Sequence, residues 1–219
     1  MLCEYGRIVT NNGNDDSNRT CAGKPIKAAM YPFSIDFLAG CQIYARLAQE
    51  TDKAQEIRVF NTSCITCAAS YLEAKLNEDI AIARLCFDDD SKEGKGWRVI
   101  QEVQRKLSVQ EKWNLIAAQL EGQVWDGGKE PFQSFDTIHS LRNELIHYKG
   151  ELLGRDEAPS NRIKSLMVRF AASSQASWIE SDCSSWVTDL LSKSKLAEWI
   201  CERTRDLDSQ YHGLLHKLT

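Results

Sequence analysis

The stretch SLRNELIHYKG, residues 140–150, places Arg142 five positions before His147. The imidazole of histidine titrates near neutral pH, so it can accept a proton in one step of a reaction and donate one in the next. The guanidinium of arginine presents a rigid fork of donors that fits phosphate oxygens and stabilises negative charge in a transition state. The pair therefore predicts acid–base chemistry on an anionic group, provided that one element brings both side chains together.

The element that must position the pair is a predicted helix over about residues 132–148. On a wheel at about 100° per residue, Arg142 lies at the edge between two faces, from which its long side chain can lean toward His147. One face is apolar and is expected to meet the core: Phe135, Ile138, Leu141, Leu145 and Tyr148. The second face is mixed: Phe132, His139, Asn143, Ile146 and His147. A mixed face predicts a packing partner, either another helix of this chain or a second copy whose two-fold axis brings two Arg/His pairs together.

The motif LRNELIHYK resembles the signature of the HEPN superfamily, small α-helical domains marked by an arginine and a following histidine and often beginning RN. The segment CAASYLEAKLNE, residues 67–78, is similar to the alanine-rich helix with Glu and Asn found in several HEPN groups. The run from KWNLI to PFQSFDTIHSLRNELIHYK also resembles the segment that leads to the motif. The resemblance covers roughly residues 60–150.

This resemblance implies metal-independent cleavage of RNA, with transfer RNA as one candidate substrate, in a cleft between two protomers of a homodimer, with no cofactor. Attack by the ribose 2′-OH would leave a 2′,3′-cyclic phosphate and a 5′-hydroxyl. His147 is expected to do the acid–base work and Arg142 to bind the phosphate, while Asn143 orients the imidazole or binds the phosphate. Glu73 and Asn77 on the earlier helix are expected to support the site.

The two residues that follow His147, Tyr148 and Lys149, complete the expected site. Lys149 can add to a local anion-binding rim, and Tyr148 follows His147 directly. In some HEPN toxins a tyrosine two residues after the histidine is modified by a partner nucleotidyltransferase, so the position of Tyr148 departs from that pattern. The resemblance also implies a role in toxin–antitoxin or antiphage defence, with an antitoxin or another defence protein as partner.

Two other readings remain open from the sequence. A catalytically inactive HEPN domain would bind RNA or a protein partner without cutting. A helical interaction module with no nucleic-acid role is favoured by the formal net charge of -4, since general nucleic-acid coats are usually strongly basic.

The rest of the chain predicts an all-α fold, a HEPN-like antiparallel helical bundle with additional N- and C-terminal segments. We treat residues 1–219 as one domain, with 1–33 as a possible loosely ordered arm and 11–25 as a polar loop. Ser34 is expected to cap the first helix, and a long helix is expected over about 52–87. The glycine-containing stretch 88–96 is expected to be a loop, and Ser108 with Glu111 predicts a capping box.

Composition indicates a cytoplasmic protein that does not enter a membrane. No apolar run approaches the roughly 18 residues that a membrane helix needs, and the N-terminus lacks a signal-peptide pattern. The eight cysteines are scattered, which favours reduced thiols. Cys64 and Cys67 form a C-x-x-C, and His212 and His216 lie one turn apart, but the separation of the two pairs favours core thiols and a solvated histidine face over a zinc site.

Overall fold

The structure is a computed structural model that describes residues 31–88, 90–147 and 186–215, with the backbone of Thr20–Cys21 and Lys24–Pro25. The fold is all-α, as predicted. Its helices are α1 (Phe33–Glu50), α2 (Ala54–Cys86), α3 (Lys92–Val103), a 3-10 helix (Gln104–Lys106), α4 (Val109–Gln119), α5 (Phe132–Ile146), α6 (Trp186–Leu191) and α7 (Leu196–Leu215). Two short strands, β1 (Thr20–Cys21) and β2 (Lys24–Pro25), pair antiparallel with Thr20 opposite Pro25.

Contacts within the chain group it into two compact units, each built from separate segments. Unit 1 takes its residues from 1–35, 71–127 and 207–219, and unit 2 from 36–70 and 128–206. Helices α1, α2 and α7 therefore each contribute residues to both units. The single domain expected over residues 1–219 stays a prediction.

The core of unit 2 combines α1, the first part of α2, α5, α6 and the first part of α7. Small side chains such as Ala48 and Ala68 lie in this core without solvent exposure, beside larger ones such as Ile65 and Ile138. Cys41 and Cys64 are also fully buried there, and the thiol of Cys64 lies 3.5 Å from the carbonyl oxygen of Ala197. The predicted core position of Cys64 is confirmed.

The interior of unit 1 is built around tryptophans. Trp113 of α4 makes an edge-to-face contact with Trp125 and a tilted contact with Tyr211 of α7. Trp97 of α3 stacks on Phe87, with ring centroids 6.3 Å apart. Since Trp97, Trp113 and Trp125 are all buried, these three act as core anchors.

The N-terminus of α1 differs from the prediction. Ser34 lies inside the first turn rather than at the cap, because α1 begins at Phe33. Its amide donates to Oε1 of Glu78 at 3.0 Å and its hydroxyl donates to Oε2 of the same carboxylate. Ser34 is therefore a buried link from α1 to α2.

Helix α3 begins earlier than predicted and runs through two glycines of the expected loop. The side chain of Ser91 caps it by accepting from the amide of Gly94 at 2.9 Å. A Cβ at Gly94 would fall 1.8 Å from the carbonyl oxygen of Asp88, and a Cβ at Gly96 would fall 2.2 Å from Oε1 of Gln119. These glycines allow close packing and do not end the helix.

Other helix boundaries agree with the sequence. Helix α2 falls within about two residues of its predicted ends at each side. Ser108 and Glu111 form the reciprocal capping box at the start of α4. Among the helices that the structure describes, none is long and apolar enough to cross a membrane.

The turn between α6 and α7 is fixed by one buried side chain of α2. Nδ2 of Asn61 donates to the carbonyl oxygens of Leu191 and Lys193 at 2.6 and 2.9 Å, and its Oδ1 accepts from the amide of Ala197 at 3.0 Å. Asn61 is 0% exposed, so this member of an Asn-x-Ser sequence has no room for a glycan.

Candidate functional site

Helix α5 carries the Arg142/His147 motif and is held in unit 2 by its apolar stripe. Phe135, Ile138 and Leu141 are buried, as the wheel predicts, and Leu145 packs against the same core. Phe132, which the wheel places on the mixed face, is also buried. The rotation of α5 about its axis is thus fixed by packing, and the motif side chains are placed by that rotation.

The start of α5 is stabilised from the preceding residue. Pro131 occupies the N-cap position without a capping side chain. The carboxylate of Glu130 accepts from the hydroxyl of Ser134 at 2.8 Å and from the Ser134 amide at 3.2 Å. This carboxylate compensates donors of the first turn and suits the positive end of the helix dipole.

Arg142 is half-buried, and its direct neighbour in the sequence orients it. Nη1 of Arg142 donates to Oδ1 of Asn143 at 2.9 Å. Because this bond uses part of the guanidinium fork, the remaining N–H groups are the ones able to meet an anion. The arrangement can present a positive charge of restricted orientation at the surface of α5.

Asn143 contacts a different imidazole from the one expected. Its Nδ2 lies 3.4 Å from Nδ1 of His139, one turn earlier. His139 also stacks on Phe135, with centroids 6.3 Å apart. The wheel placed His139 on the mixed face, but the sequence gave it no part in the site. The four-residue spacing between His139 and Asn143 was the available signal.

His147 lies just beyond the last helical residue. Helix α5 ends at Ile146, two residues before the predicted end, and His147 is the C-cap, with its amide donating to the carbonyl of Asn143 at 2.9 Å. Its imidazole is exposed, and no residue in the described ranges gives it a hydrogen bond or an ion pair. The neighbouring Ile146 is 53% exposed. An open imidazole of this kind is accessible to a ligand.

The remaining predicted site residues are not brought to this group by the described contacts. Glu73 lies on the unit 1 part of α2, where its Oε1 is 3.4 Å from Nζ of Lys112, and Asn77 is half-buried on the same stretch of helix. Tyr148 and Lys149 lie outside the described residues.

The second histidine pair is also only partly described. His212 of α7 is not simply solvated, because its Nε2 lies 3.3 Å from Oδ1 of Asp208. His216 lies outside the described residues. No group of three or more potential metal ligands is found in the described ranges.

Comparison with protein-family models, curated proteins and solved structures found no match to this chain.

Proposed function

We propose that this chain is a metal-independent endoribonuclease of the HEPN type, acting as a homodimer. The observation that carries the proposal is the end of α5, where the exposed His147 follows a guanidinium that Asn143 orients. An accessible imidazole and an oriented cation on one helix are the two groups that phosphodiester cleavage by an internal hydroxyl requires.

In the proposed reaction the ribose 2′-oxygen attacks the adjacent phosphorus. An imidazole removes the 2′-OH proton as the O2′–P bond forms, and the P–O5′ bond breaks as the leaving 5′-oxygen gains a proton. Arg142 binds the phosphate oxygens on which charge accumulates. The products are a 2′,3′-cyclic phosphate and a 5′-hydroxyl.

Each chain supplies one His147, but the reaction needs a base and an acid. A symmetric pair of chains provides two imidazoles in one cleft, one to accept the proton and its mate to donate one. The exposed Ile146 beside His147 gives such a contact an apolar component. A defence role, with an antitoxin or other partner protein, is the biological setting that the resemblance to HEPN toxins favours.

The test is cleavage of single-stranded RNA and transfer RNA in the presence of EDTA. We expect the wild type to cut, with fragments whose masses match 2′,3′-cyclic phosphate and 5′-hydroxyl ends. His147→Ala should lower the rate by at least about 100-fold through loss of acid–base catalysis. Arg142→Lys, which keeps the charge but loses the fork, should also lower it.

The matched control is Gln133→Ala, which truncates an exposed side chain at the start of the same helix that has no part in this proposal. A 2′-O-methyl group at the cut position should block cleavage by blocking the nucleophile. Cleavage that persists in His147→Ala would remove the assignment. Binding of RNA without cleavage by the wild type would support the alternative, a catalytically inactive HEPN domain.

Dimerisation has a separate test in subunit mixing. Adding an excess of His147→Ala chains to the wild type should lower its activity, because each mixed cleft then holds a single imidazole. Such a loss, together with a molar mass of two chains in light scattering, supports the dimer. A monomer with full activity contradicts it.

A further inference from the structure

Helix α3 of unit 1 is firmly anchored, so its outward face is well defined. Trp97 and Ile100 bury the inward side. Gly96 lies directly against the side chain of Gln119 on α4, and Ser91 caps the first turn. These contacts fix the rotation of α3 about its axis.

The outward side of α3 and the following 3-10 helix carries mostly basic residues. We name it the α3 basic face; its members are exposed Lys95, Arg98, Arg105 and Lys106, with Glu102 as the carboxylate among them. This face therefore holds four cations against one anion, in a chain whose formal net charge is -4. A local excess of this kind creates a positive potential that the overall charge does not reveal.

Three of these cations are not neutralised within the described residues. Lys95, Arg105 and Lys106 form no ion pair there, whereas Lys53, Lys75 and Lys112 each have a carboxylate within 3.5 Å. The carboxylates of Asp88 and Asp90 lie before α3, at its opposite end from Arg105 and Lys106. The positive charge of these three side chains is thus available to an external anion.

The geometry of the face suits an extended polyanion. Lys95 and Lys106 are 11 positions apart, which corresponds to roughly 17 Å along a helix axis. The arginine fork of Arg105 suits phosphate oxygens, and Lys95 and Lys106 add point charges. Val99 is the large apolar side chain exposed among them, at 58%, which is too little apolar surface to favour insertion into a lipid interface.

We propose that the α3 basic face binds the sugar–phosphate backbone of single-stranded RNA. The inference rests on the proposed function for the identity of the polyanion, and it adds a docking surface for the substrate in unit 1, separate from the α5 group of unit 2.

The experiment measures binding of a fluorescein-labelled single-stranded RNA by anisotropy, at several salt concentrations, in the non-cleaving His147→Ala background. Lys95→Glu/Lys106→Glu should weaken binding. Loss of two phosphate contacts should also make the slope of log K against log salt less steep by about 1.4, at about 0.7 for each contact on a single strand.

The matched control is Lys193→Glu/Lys195→Glu, which changes the net charge by the same amount at two other exposed lysines. Thermal melting of both double variants confirms that they fold. Equal weakening by the control would overturn the proposal, because it would reflect total charge and not the α3 basic face. Equal competition by a polyglutamate peptide of the same charge would also overturn it in favour of an acidic protein partner.

A cleavage assay of the protein that retains His147 distinguishes failure of this inference from failure of the proposed function. Binding through the α3 basic face with no cleavage sustains the inference and contradicts the proposed ribonuclease. Cleavage with unchanged KM and unchanged binding in Lys95→Glu/Lys106→Glu contradicts the inference alone.

Discussion

The hydroxyl of Tyr71 donates a hydrogen bond to the carboxylate of Asp208, joining α2 to α7 inside unit 1. In a second pair the tyrosine lies on α7 and the carboxylate on α2: Tyr211 faces the carboxylate of Asp79. Each carboxylate also has a cation one helical turn away, His212 for Asp208 and Lys75 for Asp79. Tyr71 thus links the two helices by a hydrogen bond, whereas Tyr211 only faces its carboxylate.

These two tyrosines should contribute differently to stability. Tyr71→Phe removes a hydrogen bond to a charged acceptor and should lower the free energy of unfolding by about 2 kcal/mol. Tyr211→Phe should change it by less than about 0.5 kcal/mol, since the buried Tyr211 hydroxyl makes no well-aligned hydrogen bond in the described residues and the ring keeps its packing on Trp113. Urea unfolding of both variants measures the difference. Equal losses would contradict the contrast.

The ion pair between His212 and Asp208 should make stability depend on pH. The bond to Asp208 raises the pKa of His212 above its ordinary 6.5, against the opposing effects of partial burial and of Lys75. Burial alone would raise the pKa of Asp208, but the bonds from His212 and Tyr71 outweigh it and hold that pKa below the ordinary 3.8.

The pH dependence of stability follows from the directions of these two pKa shifts. A histidine whose pKa is raised in the folded state stabilises the fold at pH values below 6.5, and this stabilisation is lost as the pH rises through the shifted pKa. An aspartate whose pKa is lowered stabilises the fold at pH values above 3.8, and this stabilisation is lost as the pH falls through the shifted pKa. His212→Gln should therefore lower the melting temperature most near pH 5 and least above pH 8. A difference between wild type and variant that does not vary with pH would contradict the pairing.

Asn61 should be a major determinant of unit 2 stability, because its amide satisfies three backbone groups at the turn between α6 and α7. Asn61→Ala should cost about 3 kcal/mol, from three lost bonds and the backbone groups left without partners. Thr66→Ala is the control on the same helix, since Thr66 is exposed and bonds only within α2. A loss below about 1 kcal/mol for Asn61→Ala would mean that the turn holds itself.

The positions of the helices could be predicted from the sequence because periodicity and caps are local. The capping box of Ser108 and the buried stripe of α5 follow from residues a few positions apart. Contacts between distant segments could not be predicted this way. Tyr71 and Asp208 are 137 positions apart, and nothing local distinguishes this tyrosine from one that only fills space.

The candidate site shows the same limit. A helical wheel placed His147 on the mixed face, but the even spacing of the wheel stops where the backbone leaves the helix at that residue. The wheel also could not show which of two histidines, each four positions from Asn143, the side-chain amide of Asn143 would approach. In the structure the contact is with His139. The loop predicted through Gly94 and Gly96 was wrong, because the role of these glycines depends on the neighbours that pack against them.

Two glycines of unit 1 should respond in opposite ways to a methyl group. Gly122→Ala would place its Cβ 1.7 Å from Cδ1 of the buried Leu214, so it should destabilise by about 1–3 kcal/mol through overpacking. Gly213→Ala meets nothing within 4 Å and lies within α7, so it should stabilise by roughly 0.5–1 kcal/mol through helix propensity. Thermal melting tests both, and a stabilising Gly122→Ala would contradict the packing described.

Glu73 should prove to be a partner of Lys112 and not a participant in RNA cleavage. The side chain of Lys112 is only 5% exposed, so Glu73→Gln would remove the counter-charge of a buried ammonium group and should cost about 1–2 kcal/mol. Glu50→Gln is the control, since Glu50 pairs with Arg46 where both side chains are well exposed and the pair contributes little.

Glu73→Gln/Lys112→Met should recover stability, because no buried charge then lacks a partner. Cleavage by Glu73→Gln, measured well below its melting temperature, should match the wild type. Lost cleavage with an unchanged melting temperature would restore the supporting role that the HEPN resemblance implies.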